Sequence, residues 1–274
     1  MLPCISQVCS LGSSFEDDID GYADAAGSAI ELWLTKLEDY LRNHSPAEVR
    51  ARAVDRGLKL AAASFQGGLL ISQGEARKIA WDQFQRRLEL CAELTVPVLV
   101  VSADFLGPFS QVDIERAQVS LRQAGEAAER HQIKIALEFQ ARSTFVNNLE
   151  TAVMLVDSVA HPHVGICLDL FHFFVGPSKF DDLGLLSPGN LFHVQISDVA
   201  DRPRELATDA DRIIPGDGDF RLAPVIEYLR QIGYEGAVSL ELLNPLFWQI
   251  AARQVGEIGL TALRVALGQA QARR

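Results

Sequence analysis

The sequence has little positive charge. It contains 25 Lys and Arg against 36 Asp and Glu, which gives a formal net charge of −11 over 274 residues. Binding to a nucleic-acid backbone depends on clustered basic residues, and the sequence has no basic patch. The first 35 residues also lack the basic region of a secretory signal, and no apolar run approaches the ~18 residues of a membrane span. These features predict a cytoplasmic protein without a nucleic-acid or membrane partner.

Cysteine and phosphate-binding glycine motifs are also scarce. The four cysteines are scattered without a CxxC pair, which argues against a zinc ribbon or a disulfide framework. The turn after the first predicted strand, CSLGSSFEDD, contains neither GxGxxG nor GxxxxGK. An open, doubly wound sheet that binds a dinucleotide or a nucleotide would carry one of these motifs there.

Short apolar runs alternate with amphipathic stretches along the whole chain. The runs predict strands at residues 3–10, 28–34, 58–65, 97–104, 133–139, 163–170, 191–197 and 236–242. Helices are predicted at 15–26, 46–56, 75–95, 112–131, 145–160, 178–186, 222–232 and 249–269. Eight βα units in a chain of this length predict an α/β fold, a single (β/α)8 TIM barrel, with one domain over residues 1–274.

Four oxygen-bearing side chains end four consecutive predicted strands. They are Glu138, Asp169, Gln195 and Glu241, in the segments IKIALE, VGICLD, LFHVQ and AVSLE. At a period of two, the residues before each of them are small or polar, as expected for strand positions that face a crowded barrel interior. The carboxyl ends of barrel strands carry the active site, and an all-oxygen set suits Mn²⁺ or Mg²⁺. The pattern predicts one divalent-metal site.

Several longer segments resemble a known family. The stretch from ALEFQ to GICLDLFHF, then LFHVQISD, DRIIPGDGDF and GYEGAVSLELLNP are similar to the xylose isomerase-like TIM-barrel superfamily. The likeness covers most of residues 1–250; it is weak in the first hundred residues, where AIELW, at residues 29–33, is the best fragment. That superfamily includes sugar isomerases, ketose epimerases, dehydratases and an endonuclease.

The resemblance implies roles for individual residues. It implies metal ligation by Glu138, Asp169, Gln195 and Glu241, although many members have a second His where this chain has Gln195. Glu138 and Glu241 would also act as the catalytic acid and base. His172 would face a substrate hydroxyl and is the alternative base. Arg212 would bind a carboxylate, phosphate or hydroxyl, and Trp33 would form an apolar wall. Position alone adds Lys36, Gln66 and Trp248 as weaker candidates.

The implied function is a metal-dependent isomerase or epimerase of a small sugar, keto-sugar or hydroxy-keto acid. A cation that holds a carbonyl and its neighbouring hydroxyl would stabilise an enediolate intermediate. The cofactor would be Mn²⁺ or Mg²⁺, with Co²⁺ or Zn²⁺ as the other ions to consider, and the partner a polyhydroxy small molecule. A homo-oligomer stays open. The alternatives are a metal-dependent hydro-lyase, such as a 3-dehydroshikimate or inosose dehydratase, and a non-catalytic sugar-binding barrel. An endonuclease is disfavoured by the charge and by only six histidines.

Overall fold

The fold is a closed barrel of parallel strands. The computed structural model describes residues 1–271, and within them the strands are hydrogen-bonded neighbours in the order β1 to β8, with β8 next to β1. The strands are β1 Leu2–Ser6, β2 Ala29–Trp33, β3 Lys59–Gln66, β4 Val98–Ser102, β5 Lys134–Glu138, β6 Val164–Asp169, β7 Leu191–Ile196 and β8 Ala237–Leu240. The predicted fold class, an α/β (β/α)8 barrel, is confirmed.

The helices follow the strands. They are α1 Phe15–Asp24, α2 Leu34–Tyr40, α3 Pro46–Asp55, α4 Gly74–Glu93, α5 Gln111–Arg130, α6 Leu149–Val159, α7 Leu170–Val175, α8 Leu222–Gln231 and α9 Ala252–Ala266. In the part of the chain that the structure describes, no helix is both long and apolar enough to cross a membrane.

The chain packs as two compact units. One is Ala62–His193, and the other combines Met1–Ala61 with residues 194–271. The prediction of one domain over residues 1–274 therefore stays a prediction.

In the unit Ala62–His193, β5 pairs with β4 and β6. Ser102 lies opposite Glu138, and Glu138 opposite Cys167, so β5 and β6 end close to the same level. Ala136 and Cys167, two positions before Glu138 and Asp169, share one buried cluster, which confirms that small side chains lie on the face of the acidic residues. Phe192 fills this cluster, and a Cβ at Gly165 would lie 2.7 Å from its ring. Glycine is therefore required at position 165.

In the other unit, β1 lies between β2 and β8. Ser6 is opposite Glu31, and Gln195 on β7 is opposite Ser239 on β8. Cys4, Ala29 and Ala61 form a small buried cluster. These small side chains leave room for the longer polar residues that the same strands carry.

Three predicted elements differ from the structure in type or by four residues at one end. The strand expected at 3–10 ends at Ser6, because its hydroxyl accepts the N–H of Val8 and Gln7–Ser10 form a 3₁₀ helix. The helix expected at 145–160 begins at Leu149, because the Asn148 side chain caps it. The helix expected at 178–186 is a 3₁₀ helix over Phe180–Leu185. Two short helices, α2 and α7, were not predicted and begin directly after β2 and β6.

Candidate metal and catalytic site

Three of the expected site residues come together in the unit Ala62–His193. Glu138 is the last residue of β5, Asp169 the last of β6, and His172 lies in the first turn of α7. His172 Nε2 is 3.6 Å from Asp169 Oδ2 and 3.9 Å from Glu138 Oε1. All three side chains are buried, and one ligand-type atom from each lies within 4.8 Å of the others. The group has a geometry that could hold a metal ion.

The unpredicted helix α7 is what places His172. Asp169 caps this helix, because its Oδ1 accepts the N–H of Phe171 at 2.8 Å. The helical turn brings the side chain three residues later back over the strand end. One carboxylate oxygen of Asp169 thus fixes the helix, while Oδ2 faces the imidazole of His172.

The hydrogen bonds of His172 indicate its tautomer. The backbone N–H of Ala141 donates to Nδ1 at 3.4 Å, so Nδ1 acts as an acceptor. In a neutral imidazole the ring proton is then on Nε2, the nitrogen that faces Asp169 and Glu138. A nitrogen that ligates a metal carries no proton. The arrangement therefore suits His172 to hydrogen bonding or proton transfer better than to ligation.

Gln195 and Glu241 meet in the other unit, together with Glu31. The side-chain nitrogen of Gln195 donates to Glu31 Oε1 at 2.9 Å and to Glu241 Oε1 at 2.8 Å. Glu31 and Gln195 are fully buried, and Glu241 is 4% exposed. Because both hydrogens of the amide face carboxylates, the oxygen of Gln195 is the atom that it offers to a cation.

Glu31 was not singled out from the sequence. It lies in AIELW, the fragment that carries the family likeness near the N-terminus, two positions before Trp33. A charged residue inside an otherwise apolar strand was the available signal, because a buried carboxylate requires partners.

Arg212 contacts two carboxylates. Its Nη1 is 3.2 Å from Glu241 Oε2, and its Nε and Nη2 donate to Asp209 Oδ1 at 3.1 and 2.8 Å. The arginine is 1% exposed. Arg212 was predicted to bind the substrate, and that role stays a prediction. In the structure the guanidinium positions Glu241.

The loop that carries Arg212 is organised by Asp198. Its carboxylate accepts the N–H groups of Val199 and Phe220, each at 2.9 Å, and of Gly216 at 3.0 Å. A Cβ at Gly218 would lie 2.3 Å from Asp198 Oδ1, so only glycine fits there. The PGDG segment thus packs against the buried carboxylate of Asp198. This structural role of Asp198 was not predicted from the sequence.

Trp33 lies apart from these contacts, at the end of β2. It is partly buried, and its backbone N–H donates to Gln7 Oε1 at 3.0 Å. The residue also lines a cavity of about 800 Å³ with Phe15, Lys36 and Tyr40. A partly exposed indole beside a cavity is compatible with the predicted apolar wall. Its contact with a substrate stays a prediction.

The three weaker candidates have structural partners. Lys36 Nζ is 2.6 Å from Asp18 Oδ2, and the indole N–H of Trp248 donates to the carbonyl of Val8 at 2.8 Å. Gln66 accepts from Arg87 at 3.1 Å and donates to a backbone carbonyl at 2.7 Å. Burial raises the pKa of the Asp18 carboxyl to about 7, with Lys36, Ser10 and Gln7 opposing the rise.

The carboxylates of the unit Ala62–His193 fit a divalent cation. Ligand distances of about 2.0–2.3 Å place neighbouring ligand atoms roughly 3–4.5 Å apart. One carboxylate oxygen of Glu138 and one of Asp169 lie within 4.8 Å of each other. The carboxylates suit Mn²⁺ or Mg²⁺ by ligand type, and Co²⁺ and Zn²⁺ also bind carboxylate oxygens.

Comparison with known proteins agrees with this architecture. The model of the xylose isomerase-like TIM barrel family matches residues 20–258. The chain belongs to the xylose isomerase-like TIM barrel family. The family prediction made from the sequence is thereby confirmed.

The relatives of this xylose isomerase-like chain are named as enzymes. It is 28% identical to an inosose isomerase of Halalkalibacterium halodurans, over 92% of this chain and 91% of the relative. It is 27% identical to a 3-dehydroshikimate dehydratase of Pseudomonas putida, over 93% of this chain but 40% of that protein. The crystal structure of the IOLI protein with a bound zinc atom superposes with a TM-score of 0.92 at 25% identity, over 98% of this chain and 99% of that one.

Proposed function

We propose that this xylose isomerase-like barrel is a divalent-metal-dependent isomerase or epimerase of a small sugar, keto-sugar or hydroxy-keto acid. The observation that carries the proposal is the buried group of Glu138, Asp169 and His172, with ligand-type atoms within 4.8 Å of one another. It lies at the carboxyl ends of two paired strands, where barrel enzymes place their chemistry. The likeness to inosose isomerases supports a polyhydroxy ketone as substrate.

The proposed ligands are Glu138 and Asp169, which end β5 and β6, Gln195, the next-to-last residue of β7, and Glu241, which directly follows β8. Glu138, Asp169 and Glu241 would contribute carboxylate oxygens, and Gln195 its amide oxygen. Such a set favours a hard cation, Mn²⁺ or Mg²⁺. The zinc atom in the IOLI protein makes Zn²⁺ and Co²⁺ necessary comparisons.

Each residue of the proposed site would have its own role in the reaction. The cation would supply Lewis-acid stabilisation of the substrate carbonyl, which makes the neighbouring C–H more acidic. Glu138 and Glu241 would take the proton from one carbon and return it at the other. Gln195 and Arg212 hold Glu241 in place by contacts of 2.8 and 3.2 Å. The Nε2–H of His172 would donate to a substrate hydroxyl, or His172 would act as the base in place of a carboxylate.

A hydro-lyase is the second candidate, favoured by the alignment of a 3-dehydroshikimate dehydratase with 93% of this chain. If a leaving hydroxyl stands β to the carbon that loses its proton, the same residues would expel water. The two candidates therefore differ in the substrate more than in the site.

The test begins with metal-free protein that receives Mn²⁺, Mg²⁺, Co²⁺ or Zn²⁺ separately. Each preparation is incubated in D₂O with an inosose, with other small ketoses and with 3-dehydroshikimate. Deuterium incorporation without loss of water supports the isomerase or epimerase, whereas a conjugated, UV-absorbing product identifies the dehydratase. If neither reaction occurs with any of the metals, the remaining hypothesis is a non-catalytic sugar-binding barrel.

Two matched variants make the metal site itself testable. Asp169→Asn removes a buried carboxylate of the proposed site, whereas Asp157→Asn removes an exposed one on α6 of the same unit. We expect Asp169→Asn to lose metal binding and activity, and Asp157→Asn to retain both. Equal behaviour of the two variants would contradict the site.

A further inference from the structure

We propose that Glu31 is a positioning residue that fixes the side-chain amide of Gln195 with its oxygen directed at the cation. The inference deepens the proposed function and rests on it. Glu31 is not among the proposed ligands, and in residues 1–271 the group with metal-site geometry is Glu138, Asp169 and His172. Its role would be exerted through Gln195.

The side-chain amide of Gln195 is held in one orientation by two carboxylates. Gln195 Nε2 carries two hydrogens, and it lies 2.9 Å from Glu31 Oε1 and 2.8 Å from Glu241 Oε1. Ionised carboxylates only accept hydrogen bonds, so a reversed amide would place its oxygen against two acceptors. The two contacts together exclude that reversal, because it would replace two attractions with two repulsions.

Two acceptors are needed to fix the plane of the Gln195 amide. The terminal torsion of a glutamine is broad, so one hydrogen bond leaves the amide plane free to swing about it. Glu241 is itself a proposed ligand and proton carrier, and its hydrogen bonds change when it takes up a proton. Glu31 lies within β2 and is paired with β1 at Ser6, so it provides an acceptor on a fixed strand.

Burial of the Glu31 carboxylate is unfavourable by itself. Glu31 is fully buried, and a buried carboxylate is unfavourable unless hydrogen bonds compensate for lost water. On β2 the residues that share the face of Glu31 are Ala29 and Trp33, and Ala29 is fully buried. A carboxylate at this place therefore serves a partner, and Gln195 is a partner that the proposed site requires in one orientation.

The experiment compares Mn²⁺ binding by calorimetry in Glu31→Leu, Glu31→Gln and the same changes in a Gln195→Leu background. Loss of a residue that orients a ligand weakens metal affinity by about 10–100-fold, which we expect for Glu31→Leu. Glu31→Gln retains an acceptor oxygen and should restore part of the affinity. In the Gln195→Leu background, Glu31→Leu should change the Mn²⁺ affinity by no more than about twofold. An equal loss in both backgrounds, or no loss in either, would overturn the proposal.

A second measurement uses metal-free protein, so it does not depend on the proposed function. The side-chain NH₂ of Gln195, observed by NMR, should exchange slowly with solvent in the wild type and faster in Glu31→Leu. Unchanged exchange of the Gln195 NH₂ in Glu31→Leu would overturn the proposal. If exchange is faster in Glu31→Leu but the wild type binds no Mn²⁺, only the proposed function is refuted. Asp18→Asn is the control, because Asp18 is a fully buried carboxylate of the same unit that bonds to Lys36, Ser10 and Gln7. It should leave Gln195 exchange and Mn²⁺ affinity unchanged.

Discussion

Replacement of Arg212 by Met tests whether the ion pair with Glu241 is an energetically important buried contact. The two charges lie 3.2 Å apart, and both side chains are almost fully buried. At an effective dielectric constant of about 20, such charges attract by about 5 kcal/mol. Desolvation offsets much of this attraction in the intact pair, but a variant that removes one partner leaves the other charge buried.

Arg212→Met should therefore lower the free energy of unfolding by about 3–5 kcal/mol. For a protein of this size, that corresponds to a fall in Tm of roughly 6–20 °C. Asp209 provides the matched comparison, because it binds the same guanidinium but its side chain is 46% exposed. Asp209→Asn should cost no more than about 1 kcal/mol, since solvent screens an exposed pair.

The assay is urea unfolding in EDTA, which excludes any contribution from bound metal. The double variant Arg212→Met with Glu241→Gln removes both charges, so its loss should be smaller than the sum of the single losses by about 1–3 kcal/mol. Strict additivity, or an Arg212→Met loss no larger than that of Asp209→Asn, would refute the reasoning.

Three further predictions follow from single side chains. Gln195→His exchanges an amide oxygen for an imidazole nitrogen, which Zn²⁺ prefers more than Mn²⁺ does. The ratio of Zn²⁺ affinity to Mn²⁺ affinity, measured by competition titration, should therefore rise by about tenfold. A constant ratio would contradict ligation by residue 195. His172→Asn should lower kcat by about 100-fold with Mn²⁺ affinity retained, whereas parallel loss of both would make His172 a ligand. Burial raises the pKa of Asp18 from 3.8 to about 7, so the folded state binds more protons between these values. The contribution of Asp18 to the free energy of unfolding is full below about pH 4 and is lost as the pH rises towards 7. Asp18→Asn should therefore remove the fall of the urea midpoint between these pH values. If the variant retains that fall, Asp18 is not its cause.

The strands and the acidic strand ends could be predicted because both depend on local sequence. A run of five apolar residues with a polar residue at its end needs no distant partner to be recognised, and all eight runs became strands. Glu138 and Asp169 were placed correctly at the ends of β5 and β6 for the same reason. The positions that small side chains occupy in the interior also follow from the period of two.

The polar network around Gln195 could not be predicted, because it joins residues far apart in the sequence. Glu31 and Gln195 are 164 positions apart, and nothing in either segment indicates the other. The short helices α2 and α7 were missed since each continues directly from a strand, without a turn residue between them. Asp198 was read as part of a motif, whereas its three backbone hydrogen bonds depend on the fold of the following loop.

The presence of glutamine at position 195 is explained by the number of hydrogens that an amide carries. A histidine that binds a cation through one nitrogen retains a single N–H, which can satisfy one carboxylate. Gln195 offers an oxygen and also two hydrogens, and the structure directs those hydrogens to Glu31 and Glu241. The presence of Glu31 in β2 and the presence of glutamine at position 195 are thus linked by one hydrogen bond. A histidine at position 195 would leave one buried carboxylate without its amide donor, so the exchange at 195 should be tolerated best when Glu31 is replaced as well.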